Sequence, residues 1–370
     1  MKKNHAVLAT TTLAALALVS ACAPAAAPTA QIIRETVEVP VEVTAPPIVI
    51  TAPPEQVATE PGRLVVYSGR SESLVGPIIA QFAEATGVQV DVKYGSTAEI
   101  AATLLEEGAN SPADVFFAQD PGGLGAVANA GLFAPLPEET LSLVPTGYRS
   151  PAGLWVGVSG RARVVVYNTE ALAPADLPAD VWDFTDPMWA GRIGWAPTNG
   201  SFQAMVTAMR VAWGEEKTRE WLTAMQANAP KVFEGNTNIV EAVGAGEVEI
   251  GFVNHYYLYR FLKEQGEGFA ARNYFLPGGG PGSLVMAAGA GQLETSANPD
   301  NAQRFIAFLL STVAQQYFAS QTYEYPLVEG VAVERGLPAL AELNRLDVDM
   351  AALDDLAGTT RLLQETGVLP

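Results

Sequence analysis

The adjacent residues Tyr256 and Tyr257 carry the side chains in this sequence that are best suited to bind a metal ion. They follow Asn254 and His255, where an apolar strand pattern gives way to a helical one. Phenolate oxygens are hard ligands that suit Fe(III), and a trivalent ion can displace the phenol protons, which otherwise leave with a pKa of about 10. Adjacent aromatic residues also pack against apolar faces, so the pair alone leaves that interpretation open.

The counts of cysteine and histidine argue against the commonest transition-metal sites. The chain has 1 cysteine, Cys22, and 2 histidines, His5 and His255. Too few such ligands are present for a zinc, nickel or copper site built on Cys or His clusters. A hydrolase would have to use His255, and no Gly-x-Ser-x-Gly motif accompanies it. An extracytoplasmic hydrolase stays an alternative, but the sequence predicts that the protein is not an enzyme.

The segment Asn199-Gly200-Ser201 is a second candidate for ligand chemistry. It lies in the polar stretch 197–202 at the predicted start of a helix. The free backbone N–H groups and the positive dipole end of a helix favour an anion there. An ordinary capped helix is the alternative interpretation.

The N-terminus is typical of an exported lipoprotein. Lys2 and Lys3 precede an apolar stretch over 6–19, and Val19-Ser20-Ala21-Cys22 follows as a lipobox. We therefore expect a signal peptide over 1–21 and lipidation of Cys22. Residues 22–62, rich in Ala, Pro, Thr and Val, are predicted to form an extended tether. The protein would then be extracytoplasmic and attached to the cell membrane only through its N-terminal lipid.

The remaining chain, about 310 residues, is longer than one hydrophobic core usually covers, so two lobes are expected. The formal charge of −19 argues against nucleic acid as a partner and suits a solvated protein that attracts cations.

Strand patterns over 63–67, 88–92 and 113–117 alternate with helical patterns, which predicts a doubly wound α/β fold with ligand loops at the carboxyl ends of the strands. The predicted elements are helices over 74–86, 97–107, 124–130, 301–310 and 339–343, and later strands over 161–167, 189–195, 248–253 and 285–290. Asn254 is predicted to cap the helix that carries the tyrosines.

The order of these elements and several short motifs resemble those of the ferric-ion-binding substrate-binding proteins of bacterial ABC iron importers. The resemblance spans nearly the whole chain after the tether, and its landmarks are 64–69, 111–116, 159–164, 246–248, 253–257 and 324–327. It implies a transferrin-like, type II periplasmic-binding fold, in which two lobes, each a doubly wound mixed sheet, are joined by two crossing strands. Lobe 1 would comprise 63–160 and 283–325, and lobe 2 would comprise 161–282 and 326–370.

The resemblance also implies a set of site residues. Tyr256 and Tyr257 match the paired iron ligands of the family. Residues matched to the seat of a synergistic phosphate or carbonate are Asn199, Gly200, Ser201, Asn236, Asn254, Arg161 and Arg163.

The first lobe departs from the family pattern. Ser71 stands where well-studied members have a histidine ligand, Gln119 where they have a glutamate, and Phe202 where others have a third tyrosine. Another oxygen must then complete the iron site, from Tyr94, Asp120, Glu72, Tyr167, water or the anion.

The function implied by the resemblance is capture of Fe(III), free or chelated, in a cleft between the lobes. The lobes would close around the ion, and the protein, a monomer, would deliver it to an ABC transporter permease and its ATPase. Two alternatives stay open: the same fold binding a small oxyanion, phosphonate or organic acid, and a structural or sensory lipoprotein.

Overall fold

The computed structural model describes residues 61–334 and 336–370. The predicted signal peptide, Cys22 and nearly all of the predicted tether lie outside the described residues. Within the described part of the chain, no helix is both long and apolar enough to cross a membrane.

The first half of the fold alternates strands and helices, as the sequence predicts. Its elements are β1 (Arg63–Ser68), α1 (Glu72–Thr86), β2 (Gln89–Tyr94), α2 (Thr97–Glu107), β3 (Val115–Ala118), α3 (Pro121–Asn129) and α4 (Glu138–Leu141). Strand β1 pairs in parallel with both β2 and β3. Local signals set the helix ends: Gly87 ends α1 with a φ of 74°, and the side chains of Ser96 and Glu99 form a capping box at the start of α2.

Strand β4 (Val156–Asn168) is buried along its full 13 residues and connects the two halves. The second half contains β5 (Ile193–Trp195), α5 (Gly200–Trp213), α6 (Glu215–Ala227), β6 (Lys231–Val232), α7 (Asn236–Gly244), β7 (Ile250–Asn254), α8 (Tyr256–Gln265) and β8 (Ala271–Tyr274). The chain then returns through β9 (Val285–Gln292), α9 (Pro299–Leu309), α10 (Thr312–Gln321), β10 (Tyr325–Pro326) and α11 (Leu356–Glu365).

The shared strand β4 explains how the two halves are joined. Its first part pairs with β9 and β10, and its last part pairs with β7 and β8, all antiparallel. The strand order is β2-β1-β3-β9-β4-β7-β5-β6. The mixed α/β architecture agrees with the predicted fold class, while the lobe boundaries stay a prediction.

Four details of the sequence prediction were wrong. Strand β4 is longer than 161–167, and the strand predicted over 189–195 is confined to β5. The helix predicted over 339–343 is a single 3₁₀ turn, Leu340–Glu342. Asn254 does not cap α8: it ends β7, and its side-chain oxygen accepts a hydrogen bond from Arg163, so His255 is the N-cap residue.

Candidate functional site

The loop at the carboxyl end of β3 faces, across a cleft, the segments that follow β5 and β7, where ligand loops are expected in an α/β sheet. Two contacts connect the halves across this cleft. Gln119 Nε2 lies 3.4 Å from Tyr256 Oη. Asp120 Oδ2 lies 3.7 Å from the point that a Cβ atom on Gly200 would occupy. The loop after β3 therefore faces both α8 and the start of α5.

The tyrosine pair stands at the first turn of α8, as the sequence predicts. The two rings stack with their centroids 4.4 Å apart and an interplanar angle of 26°. The Arg260 guanidinium lies 5.9 Å and 5.5 Å from the ring centroids of Tyr256 and Tyr257. Burial raises the pKa of the Tyr256 phenol, and the neighbouring Tyr257 raises it further. The Tyr256 phenol is consequently neutral near pH 7 unless a strong cation displaces its proton.

Arg163 fills the centre of the predicted anion seat. Its Nη1 donates to Ser201 Oγ at 3.1 Å, Asn236 Oδ1 at 3.3 Å and Asn254 Oδ1 at 3.1 Å. Asn254 is brought there because it pairs directly with Arg163 between β7 and β4. Burial lowers the pKa of Arg163, and the nearby tyrosines oppose that effect. Three of the predicted anion-binding side chains therefore direct oxygens at a cation.

The start of α5 is an ordinary capped helix in this structure. Asn199 Oδ1 accepts hydrogen bonds from Ser201 N at 3.0 Å and from Ser201 Oγ at 2.5 Å. Asn236 Nδ2 donates to the same oxygen at 3.1 Å. The structure thus brings the predicted residues together, but the N–H group of Ser201 is already used by the cap.

Two guanidinium groups leave donors unused in the cleft. Arg161 and Arg163 are two residues apart on β4, so their side chains lie on the same face of the strand. Each is 1% exposed, and the Nε and Nη2 atoms of each have no hydrogen-bond partner among the described residues. These two atoms form the edge of a guanidinium that binds a carboxylate or similar oxyanion in bidentate fashion. The arrangement can therefore hold an oxyanion beside the phenols.

The predicted first-lobe residues divide into two groups. Gln119 contacts Tyr256, and its Oε1 is buried without a partner among the described residues. Burial raises the pKa of Asp120, whereas the charge of Arg161 lowers it, which places that carboxyl near the guanidinium. Ser71 is exposed, with its Oγ 3.2 Å from that of Ser73. Tyr94 lies against α1, and within the described chain neither it nor Ser71 hydrogen-bonds to the tyrosine pair.

Two other residues named from the sequence belong to the core. Phe202 is 1% exposed and packs edge to face on Trp195, with the ring centroids 5.5 Å apart. Tyr167 is buried in the same hydrophobic cluster. Neither side chain lies in the cleft, because both lie in the core where α5 and β4 pack against β5 and its neighbours.

The sequence interpretation missed the role of Thr97. Its Oγ1 donates to Gly69 O at 3.3 Å and accepts from Gln119 N at 3.0 Å, so it joins the loops after β1 and β3. The capping signal at Ser96 and Glu99 was the only local hint, since it places Thr97 at the first turn of α2. Thr97 consequently fixes the backbone that presents Gln119 to the cleft.

His255 is buried, and both of its ring nitrogens are used. Nδ1 accepts from Ala162 N at 3.1 Å, and Nε2 lies 2.6 Å from Tyr323 O. Burial lowers the pKa of His255 to about 4. The hydrolase alternative relies on His255, and this imidazole has no free nitrogen to act as a base. The described residues also contain no cluster of three or more His, Cys, Asp or Glu side chains that could hold a metal ion.

Comparison with known proteins identifies what the chain resembles. Residues 110–352 match the family described as bacterial extracellular solute-binding protein. The Fe(3+)-binding periplasmic protein of Serratia marcescens is 34% identical over 308 residues, which cover 83% of this chain and 90% of that protein. Iron-bound HitA from Pseudomonas aeruginosa superimposes with a TM-score of 0.79 at 35% identity, over 82% of this chain and 99% of that one. A Trichodesmium protein (IdiA, FutA) in complex with iron and citrate gives a TM-score of 0.74 at 28% identity, over 83% and 99% of the two chains. These likenesses confirm the predicted fold class.

Proposed function

The chain belongs to the family of bacterial extracellular solute-binding proteins, and we propose that it captures Fe(III) in the cleft and delivers it to an ABC transporter. The observation that carries this proposal is the stacked pair Tyr256 and Tyr257 beside two buried guanidinium groups. Iron binding by relatives that are 34% and 35% identical supports Fe(III) over the small-oxyanion alternative.

The tyrosine pair supplies two phenolate oxygens when the ion enters. Fe(III) with two phenolates keeps one positive charge, and the buried guanidinium groups of Arg161 and Arg163 add two more. Concentrating so much like charge in a buried cleft is unfavourable. A synergistic anion would neutralise part of it and would occupy coordination positions on the ion.

The anion binds, in this proposal, at the Nε and Nη2 edges of the two arginines. The predicted anion site at the start of α5 is occupied by the Arg163 guanidinium, whose Nη1 donates to oxygens of Ser201, Asn236 and Asn254. We therefore assign Ser201, Asn236 and Asn254 to holding Arg163 in place, and Arg161 and Arg163 to holding the anion. Asn199 supports the first group through its hydrogen bonds with Ser201 and Asn236. Of the two anions predicted from the sequence, we expect carbonate, because it is the smaller, planar dianion.

The first lobe contributes Gln119 and Asp120 rather than Ser71 or Tyr94. The supporting contacts are those of Gln119 with Tyr256 and of Asp120 with the start of α5. A carboxylate oxygen from Asp120 would close the site from the opposite side of the cleft. In the same proposal Cys22 is lipidated and keeps the protein on the outer side of the cell membrane, where it meets the permease as a monomer.

The test is a titration of the purified protein with ferric citrate, followed by visible absorbance, in carbonate, phosphate or neither. We expect a saturable charge-transfer band at roughly 400 to 500 nm, as for iron phenolates, that is strongest in carbonate. The double variant Tyr256→Phe/Tyr257→Phe should show no band. Tyr274→Phe, which changes a tyrosine on β8, is the matched control and should behave as the wild type.

Each outcome has a defined meaning. A wild-type protein without a band would refute the iron proposal and favour an oxyanion or organic acid as cargo. A band that appears in phosphate but not in carbonate would support the iron proposal. It would refute the assignment of the arginine edges to carbonate.

A further inference from the structure

The turn Thr322–Glu324 lies where the two halves of the molecule meet. It follows α10 and leads into β10, whose Tyr325 pairs with Gly160 of β4. Only a few residues further along β4, its pairing changes from the strands of the first half to those of the second. A change in the angle between the lobes must therefore bend the chain near this turn.

His255 ties the start of α8 to this region by three hydrogen bonds. Its backbone N–H donates to Ala162 O at 3.0 Å, and its Nδ1 accepts from Ala162 N at 3.1 Å. Because the Ala162 amide can only donate, Nδ1 carries no proton, and Nε2 must donate to Tyr323 O at 2.6 Å. His255, which precedes Tyr256, thus connects the start of α8 both to β4 and to the turn.

Tyr323 contacts the same helix by a second route. Its ring stacks on that of Tyr259 in α8, with the centroids 5.1 Å apart and an interplanar angle of 19°. Its backbone has a φ of 58°, in the left-handed region that residues other than glycine rarely adopt. Such a conformation persists only where surrounding contacts hold it, and it is concentrated at functional sites and switch regions.

The next residue, Glu324, holds the opposite half of the molecule. Its carboxylate accepts two hydrogen bonds from Arg70 Nη2, at 2.8 Å and 2.6 Å, and one from Ser159 Oγ at 3.2 Å. Arg70 lies in the loop after β1, and both members of this ion pair are buried. Adjacent residues of one turn therefore hold the first half through Glu324 and α8 through Tyr323.

We propose that His255 and Tyr323 are positioning residues that couple the bending of this turn to the geometry of Tyr256 and Tyr257. When the lobes move apart, the turn shifts, His255 follows its carbonyl partner, and the first turn of α8 rotates. The tyrosine pair is then held in its binding arrangement only in the closed form. This inference rests on the proposed iron function, because it concerns how the iron ligands are placed.

The experiment compares the whole protein with His255→Phe and His255→Gln. Phenylalanine keeps the ring that packs 4.9 Å from that of Tyr325 but removes both side-chain hydrogen bonds, while glutamine can keep one of them. The measurements are the position of the ferric charge-transfer band and the rate of iron release to excess EDTA. We expect a shifted band and release at least tenfold faster for the phenylalanine variant, with the glutamine variant between it and the wild type.

A destabilised control separates positioning from general loss of stability. Met225→Ala removes a buried side chain of α6 from the core of the second half and should lower the melting temperature without changing the band or the release rate. If the histidine variants change the band position and the release rate no more than Met225→Ala does, the inference is wrong.

Two further results complete the test. Tyr259→Leu leaves His255 intact and removes the stacking on Tyr323, so it should speed release to a smaller extent. If His255→Phe does not fold, the other two variants decide. Iron release at the wild-type rate from both Tyr259→Leu and His255→Gln would overturn the inference. Absence of the band in the wild type would instead refute the iron function itself.

Discussion

Replacing Arg161 with methionine should stabilise the iron-free protein and lower its affinity for iron. Arg161 is 1% exposed, and its Nε and Nη2 find no partner among the described residues, so the side chain is buried at a cost. Two unpaired buried donors cost about 2–6 kcal/mol, at about 1–3 kcal/mol each, and an apolar side chain of similar length removes this cost. The lost attraction to Asp120 and Glu324 opposes this gain. We expect a net stabilisation of about 1 kcal/mol, or about 2 °C in Tm.

The effect on iron has the opposite sign. In the proposed complex Arg161 donates two charge-assisted hydrogen bonds to the synergistic anion, each contributing about 1.5–3 kcal/mol. Losing both removes about 3–6 kcal/mol, which corresponds to an affinity about 100- to 20,000-fold lower in carbonate. Iron binding without added anion should change much less.

The assay pairs thermal unfolding of the iron-free protein with competition for iron against citrate, with and without carbonate. Arg219→Met is the control, because Arg219 of α6 forms an ion pair at the surface with Glu365 of α11. A lower Tm for Arg161→Met together with an unchanged carbonate effect would refute the reasoning, since Arg161 would then be a structural ion-pair residue.

Three other predictions concern protons, acid and the C-terminal helix. Each phenol of Tyr256 and Tyr257 that becomes a phenolate releases one proton, so iron affinity should rise by up to about tenfold per pH unit for each; a pH-stat titration that detects no protons would exclude phenolate ligation. Burial alone would raise the pKa of Glu324, but the charge and hydrogen bonds of Arg70 bring it below its usual value. Its contribution to stability is therefore present above about pH 4.3 and lost as the pH falls through the lower folded pKa, so urea midpoints of Glu324→Gln should depend less on pH in that range. Asp355→Ala removes the N-cap of α11 and should cost the iron-free protein about 1 kcal/mol, measured by urea unfolding.

Local signals explain which parts of the structure the sequence could predict. The sequence predicts both limits of α2 and the end of α1 at Gly87, because caps and left-handed glycines act within a few residues. The tyrosine pair at the start of α8 was predicted for the same reason. The N-cap of that helix was not, since the partner that holds Asn254 away is 91 residues distant along the chain.

Long-range contacts explain what the sequence could not predict. The oxygens around Arg163 come from residues 38 to 91 positions away, and the contact of Gln119 with Tyr256 joins residues 137 positions apart. The predicted helix start and the family resemblance suggested an anion at Ser201, Asn236 and Asn254, whereas the fold pairs these side chains with a cation from β4. The free arginine edges could be identified only after those pairings were known.

The distribution of the site between the lobes bears on how the protein closes. The phenols, both arginines and the start of α5 all lie on β4 and the second half, and the first lobe adds Gln119 and Asp120. A ligand shifts a closure equilibrium only by its difference in affinity for the two forms, so iron favours the closed form through these few first-lobe contacts and through the inferred coupling of the tyrosine pair to the turn at Tyr323.

The protein's own contacts must then supply part of the preference for closure. Asn129 of α3 donates to Asp354 at 2.7 Å, and the next residue, Asp355, pairs with Arg210 of α5 at 2.9 Å. Adjacent residues of the C-terminal segment thus join the helices on the two sides of the cleft. Each of these contacts is exposed and weak. Because iron and the segment both contribute modestly, a small loss at either should be enough to open the cleft, which is the property that a protein needs in order to release its iron to a transporter.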